Sequence, residues 1–377
     1  MRELGTTTTW KKSPIPFITI DKRIFRELER RNCILLPNLR AAESSPSQYS
    51  TLFLAPPTEH LTLHLHPKNI TDIRRLIKEI PFRSPDLKSL YLPQSFKWQE
   101  MTAFILDAAF PRLLNGLQNL ENFLCDWVHL SDESTIALLR MPNLRRMSVF
   151  KEIADLDRIL LDHKVENPHL EEVVIRTVNL GVDSLAGLLT SLQPALLTSF
   201  HVSTLIGSCF QADLDSFLDA IGNHCSPNRF TELVLASRGV EIPTSVTTVN
   251  FATLEPLLSF SHLRVLTLSH HPFDMTDDEI KELAMAWPNL TELRYAVATT
   301  LKPRTTMRGL VWLAIFCRKL ECLTFNFNDT VCEVSTDELA LAVNHGLTFL
   351  HVGRSETGEI VEAFLKVVFP KLKRVMH

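Results

Sequence analysis

Along this chain the apolar residues return in one short phrase. A turn, often with proline, is followed by a leading apolar residue, two mostly polar positions, and then apolar residues alternating with polar ones. It reads SPDLKSLYL from Ser84 to Leu92, MPNLRRMSV from Met141 to Val149 and NPHLEEVVI from Asn167 to Ile175. It returns as FSHLRVLTL from Phe260, WPNLTELRY from Trp287, CRKLECLTF from Cys317 and NHGLTFLHV from Asn344, with weaker copies between and beyond. Alternation with a period of two is the signature of a strand with one buried face. Between phrases the period changes. In MTDDEIKELAMAWPNL, Thr276 and Glu279 form a capping box, while Ile280, Leu283, Ala284 and Trp287 fall at i, i+3, i+4 and i+7. Pro288 then stops that helix. STDELALAVNHGL follows the same grammar, with Ser335 and Glu338 as the box, and so do ITDIRRLIKEIPF and ADLDSFLDAIGNHCSP. Each unit is one short strand and one helix.

Aligning the middle apolar position of every phrase gives Ala42, Leu61, Leu90, Phe123, Met147, Val173, Phe200, Leu233, Leu266, Leu293, Leu323, Leu350 and Val375, a mean spacing of about 28 residues. That is the long end of the leucine-rich class. The pattern predicts an α/β leucine-rich-repeat solenoid of about 13 irregular repeats, with a parallel sheet on the concave side and helices outside. The repeats are expected over residues 35–377. Residues 1–34 are expected to be a partly helical N-terminal segment, a remnant or a cap, with IDKRIFRELERRN from Ile20 to Asn32 as its helix. The asparagine ladder usual in such repeats, three residues after the last strand leucine, is mostly missing: Ser95, Glu152, Val178, Leu205, Arg238, His271 and Ala298 stand there, with Asn328 the main match. Turn backbones must therefore find other partners. The inserts at Arg238 to Thr253 and Ala298 to Met307 read as loops.

Chemistry-bearing motifs are scarce. The 11 glycines form no phosphate-cradling or nucleophile-elbow motif. The seven cysteines make no C-x-x-C pair, and no signal-peptide-like apolar core opens the chain. Cys317 and Cys322, which flank a strand start, are expected to be buried. Thiols kept reduced fit a cytoplasmic or nuclear setting. A net charge of -4 offers no basic field for nucleic acid, and no apolar run is long enough to span a membrane. Alternate histidines in Glu59-His60-Leu61-Thr62-Leu63-His64-Leu65-His66 share a strand face, but without a cysteine or carboxylate at ligand spacing they are read as exposed strand residues. Thr276-Asp277-Asp278-Glu279 is read as a helix cap, not a calcium loop. No catalytic, cofactor-binding or metal-binding residue is assigned, and no enzymatic activity is expected.

The informative positions are those that alternate outward on the strands, because partners bind the concave face of solenoids. Tyr91, Arg146, Glu172, Arg176, His201, Glu232, Glu292, Arg294, Phe349 and His351 are the candidate protein-binding residues. They mix charge signs and aromatics, as a protein-binding surface does.

The phrases LLPNLR (Leu35 to Arg40), MTDDEIKELAMAWPNLTEL (Met275 to Leu293) and GLVWLAIFCRKLECLTF (Gly309 to Phe325) resemble the repeat region of fungal, mushroom-type F-box/leucine-rich-repeat proteins. The resemblance covers most of the chain from Leu35 onward. It implies the substrate-recognition part of a cullin-based, SCF-type ubiquitin ligase receptor, with a protein client on the concave face. The adaptor-docking F-box is expected to be missing here, since residues before the first repeat are too few and lack its L-P-x-E/D opening. A Skp-type adaptor is therefore a partner only if an F-box lies upstream. The alternative is a free-standing repeat scaffold or inhibitor unrelated to ubiquitination.

Overall fold

In a computed structural model the chain is described at residues 38, 40–44, 54–64, 70–93, 110–163, 167–178, 183–204, 212–237, 248–269, 272–295, 303–328, 334–352 and 359–376. The N-terminal segment 1–34, its Ile20–Asn32 helix, His66 and the turn positions Ser95, Leu205, Arg238, His271 and Ala298 lie outside these residues.

Thirteen strands form one sheet, each hydrogen-bonded to the next in sequence order. They are β1 (Ala41–Ser44), β2 (His60–Leu63), β3 (Ser89–Tyr91), β4 (Asn122–His129), β5 (Arg146–Phe150), β6 (Glu172–Thr177), β7 (Ser199–Thr204), β8 (Glu232–Ser237), β9 (Val265–Leu268), β10 (Glu292–Tyr295), β11 (Cys322–Thr324), β12 (Phe349–His351) and β13 (Arg374–Met376). All twelve pairings are parallel, and their register reproduces the phrase alignment at every step. Ala42 pairs with Leu61, Leu61 with Leu90, and so on through Leu350 to Val375. A slip of one residue would move every buried leucine to the solvent face, which is why the pattern fixes the register.

One helix joins each successive pair of strands from β2 onward. These are α1 (Ile70–Arg83), α2 (Phe110–Asn115), α3 (Asp132–Leu139), α4 (Ile153–His163), α5 (Asp183–Leu192), α6 (Ala212–His224), α7 (Phe251–Leu254, continued by a 3₁₀ turn), α8 (Asp277–Ala286), α9 (Met307–Phe316), α10 (Thr336–Leu341) and α11 (Glu359–Val368). Both capping boxes form, at Thr276/Glu279 and at Ser335/Glu338. In α8 the apolar stripe packs inward as expected, with Ile280, Leu283 and Ala284 buried, and the Trp287 indole N–H donates to the Leu257 carbonyl at 3.0 Å. The insert from Arg238 to Thr253 does not end as a loop: Asn250 caps α7 by accepting from the Thr253 N–H at 3.0 Å. An Asn in extended backbone ahead of a turn that buries Thr253 and Leu254 explains the departure.

The core is a stack of side-chain rows. The leading residue of each phrase, from Leu87 through Leu120, Leu144, Leu170, Leu197, Phe230, Leu263, Leu290 and Leu320 to Leu347, is fully buried. At about 1.5–3 kcal/mol per buried large aliphatic side chain, these rows hold the repeats together.

Backbone polarity is satisfied by a ladder other than the missing asparagines. The residue just after each leading position donates its N–H to the carbonyl of its counterpart one repeat back, from Glu59 to Arg40 through to Lys373 to Thr348, at 2.7–3.1 Å. The next N–H reaches the same carbonyl in most repeats, as His60 does to Arg40 at 2.9 Å. A second set of ties comes from the turn ahead of the leading residue. Ser84 Oγ donates to Ala55 O, Asn167 Nδ2 to Leu139 O, Asn344 Nδ2 to Cys317 O, and Cys317 Sγ lies 3.7 Å from Ala284 O. Leu139 and Ala284 lie in the last turns of α3 and α8, where carbonyls lack intrahelical partners. Ala55 O and Cys317 O take these donors in addition to a backbone N–H of their own turn.

Candidate protein-binding face

The exposed sheet face, opposite the helices, carries all ten candidate residues. They do not gather into one pocket. From Tyr91 on β3 to Phe349 and His351 on β12 they span nine strand steps, roughly 40–45 Å at the usual interstrand spacing. The outward row is also less uniform than alternation predicts. Ser89, Ser148, Ser199, Thr267 and Thr324 face this side yet are buried, at 3–7% exposure, because larger neighbours overhang them. Cys322 corrects an expectation the other way: it stands half-exposed on the face, while Cys317 is buried. Burial is the main reason the Cys322 thiol is raised, against a lowering influence from Arg294, and it pushes Cys317 up to about 12. Both thiols are protonated and unreactive near neutral pH.

Three charge pairs organise the candidates. Arg146 Nε lies 3.7 Å from Glu172 Oε2 across β5 and β6. His201 Nε2 lies 3.3 Å from Glu232 Oε2 on the neighbouring strand, and the Glu232 carboxyl is held below its usual range chiefly by that imidazole, against its burial. Arg294 Nε lies 2.9 Å from Glu292 Oε1, two residues apart on β10 and hence on one face. Arg176, farther along β6, is flanked in register by Phe150 and Ser203. Tyr91 is 36% exposed and presents its ring beside Leu124 of β4. His60 is exposed on β2, and His64 Nε2 lies 2.6 Å from Glu43 Oε1 on β1. No group of three or more His, Cys, Asp and Glu is placed to hold a metal among the described residues.

One functional row went unread in the sequence. The residues just after each leading position form a rim along the N-terminal ends of the strands: Arg40, Glu59, Lys88, Glu121, Arg145, Glu171, Thr198, Thr231, Arg264, Thr291, Glu321, Thr348 and Lys373. Strand alternation would turn this row inward, but the turn before the strand leaves it outside. Up to Glu171 the charges alternate in sign, with Lys88 Nζ 3.5 Å from Glu59 and Arg145 Nη1 3.1 Å from Glu171. Beyond it threonines dominate. Thr198, Thr231, Thr291 and Thr348 each donate a hydroxyl to the rim carbonyl one repeat back, at 2.8, 3.1, 2.9 and 3.3 Å. The signal was available as a fixed offset from each leading residue.

On the helix side, Asp132 and Asp277 act as expected of first-turn carboxylates, and also reach other repeats. Asp277 accepts from Thr306 N, Thr306 Oγ1 and Gly309 N of α9, at 2.8, 2.6 and 3.0 Å. A Cβ on Gly309 would clash with the buried Thr305 methyl, so this close approach requires glycine. Asp132 accepts from the buried Lys151 ammonium at 2.8 Å and from Arg158 at 2.8 Å.

No helix of the described residues is long and apolar enough to cross a membrane. The chain matches no protein-family model and no curated protein. Among solved structures it is similar to the crystal structure of the yeast Rad7 and Elc1 complex, at 16% identity and a TM-score of 0.43, over 94% of this chain and 81% of that one. It is also similar to the TLR13–ssRNA13 complex, at 14% identity and a TM-score of 0.27, over 90% of this chain and 64% of that one. The sheet order and register by themselves make the chain a leucine-rich-repeat solenoid.

Proposed function

We propose that this chain is a protein-interaction module that holds a client protein on its exposed sheet face, as the substrate-recognition part of an F-box-type ubiquitin ligase receptor. The observation that carries the interaction reading is the uninterrupted strip of outward side chains over thirteen hydrogen-bonded strands. Mixed charge, aromatic rings and small polar residues suit a protein surface better than a phosphate backbone, which would call for arginine and lysine throughout. The ladder beneath fixes the backbone that carries these side chains, so no backbone ordering opposes binding. The ubiquitin-ligase part of the reading is supported by the repeat phrases of the sequence.

The test is co-precipitation of a Skp-type adaptor with the protein expressed from a gene extended upstream of Met1. Adaptor recovered with the extended protein, together with a client that accumulates when the repeats are deleted, is the expected result. A stable partner that is neither the adaptor nor a degraded client would instead leave a scaffold.

A further inference from the structure

The rim of the second half of the sheet has a charge pattern of its own. From β8 to β12 it reads Thr231, Arg264, Thr291, Glu321, Thr348. The three threonine hydroxyls are committed to backbone carbonyls. Arg264 and Glu321 are both exposed, and neither forms an ion pair among the described residues, Arg264 adding only a weaker, longer-range pull on the Glu232 carboxyl that His201 already holds. Each has a threonine on either side where the first half of the rim places an opposite charge. The other charges of this region, Glu232 with His201 and Glu292 with Arg294, are already matched. Beside the rim, the half-exposed Val265, Cys322 and Phe349 supply apolar surface.

From this charge complementarity we propose that β8–β12 is the docking centre of the face, and that its occupant is an extended segment carrying one acidic and one basic residue around an apolar one. The acid meets Arg264 and the base meets Glu321. The two rim charges are two strand steps apart, about 10 Å, which an extended chain covers in about three residues. The segment therefore runs across the strands with acid and base about three positions apart, and its apolar residue is seated between Val265 and Cys322, which flank the internally paired Glu292 in register. Charges already paired within the sheet contribute little to an incoming partner, because their mutual attraction must be given up first. Arginine beside apolar surface is the composition of binding hot spots. The inference rests on the protein-interaction reading and narrows it to five strands.

The experiment uses the full chain and a random 12-residue peptide library displayed on phage. Selected peptides are expected to carry an acid and a base about three residues apart. Arg264→Glu should weaken them by about tenfold or more, while Arg74→Glu, exposed on α1 of the helix side, leaves them within about twofold. The double variant Arg264→Glu with Glu321→Lys should lose these peptides and bind versions with acid and base exchanged. That gain shows that a loss on Arg264→Glu is not misfolding, and circular dichroism checks each variant directly. Peptides that bind the face but are lost with Arg146→Glu and not with Arg264→Glu would overturn the β8–β12 assignment and leave the interaction reading standing. Failure to select any peptide, or binders indifferent to every face substitution, would overturn both.

Discussion

The rim of β1–β6 and the rim of β7–β12 perform one structural task by different chemistry. Both flank the same ladder, in which each rim carbonyl accepts from the following repeat. In the first half the side chains above the ladder are Arg40, Glu59, Lys88, Glu121, Arg145 and Glu171, alternating in sign, so adjacent repeats attract laterally. In the second half Thr198, Thr231, Thr291 and Thr348 donate hydroxyls into the ladder itself. The first solution uses long flexible side chains and is screened by salt; the second is short-range, neutral and insensitive to it. The difference also decides what is left for a partner. In the first half Glu59 with Lys88 and Arg145 with Glu171 are already bridged, whereas in the second half threonines flank Arg264 and Glu321, which form no ion pair among the described residues.

The largest expected effect tests whether the two halves differ at the rim alone. Leu170 and Leu290 occupy the same leading position in the first and second halves, and both are fully buried. Replacing either with alanine should cost about 2–5 kcal/mol, read from urea unfolding midpoints. Near-equal losses are expected, since the core rows are alike. A gap above about 2 kcal/mol would place the difference in the core and break the comparison.

Next in size are the two carboxylates that tie repeats together on the helix side. Asp132→Ala in the first half strips the hydrogen-bonded counter-ion from Lys151, whose side chain is 2% exposed. Asp155 stands 4.0 Å away and Asp132 itself is 44% exposed, so the loss should be about 2–3 kcal/mol, less than for a sealed pair. Asp277→Ala in the second half removes three neutral donors' acceptor and should cost about 1–2 kcal/mol. Their pH behaviour separates them. The Lys151 hydrogen bond, with help from Arg158, holds the Asp132 carboxyl below its usual range. A carboxyl lowered on folding stabilises fully above its unfolded value of about 3.9, and that stabilisation is lost as pH falls through the folded value. The gap between wild type and Asp132→Ala should therefore be constant from pH 7 to about 5 and shrink below pH 4. A gap that stays constant to pH 3 would show that the pair contributes nothing through charge.

Much of this architecture was legible in the residues because burial imposes period and register together. Leu61, Leu90, Phe123 and their counterparts could be aligned by eye, and the sheet pairs them residue for residue. Helix starts were legible where a capping box spells them out, as at Thr276 and Ser335. What escaped has physical reasons. Asn250 caps a single turn too short for a 3.6-residue period to show. The burial of Ser148 and Thr267 is decided by larger residues on adjacent strands, about 28 residues away in sequence, which alternation within one strand cannot report. The rim was missed because it follows the turn and not the strand, so the two-residue period assigns it to the wrong side. The pairing of His201 with Glu232 and of Arg146 with Glu172 could be inferred only once register was known.

The smallest effect is the most direct test of the two rims. Thr291→Val keeps the shape of the side chain and removes the hydroxyl that donates to the Arg264 carbonyl at 2.9 Å. That carbonyl keeps its backbone donors from Thr291 and Glu292, so the loss should be about 0.5–1.5 kcal/mol. Arg145 and Glu171 in the first rim are bridged at 3.1 Å, with side chains 59% and 27% exposed. A double-mutant cycle through Arg145→Met and Glu171→Gln should give a coupling of at most about 1 kcal/mol at low salt. In 1 M salt the screening length falls to about 3 Å, and that coupling should vanish while the Thr291→Val loss stays unchanged. If the threonine loss is screened and the ion-pair coupling is not, the two rims do not work as described. If both persist, the charged zipper is held by the packing of its aliphatic stems, and Arg145 then stabilises its repeat as a hydrophobic residue would.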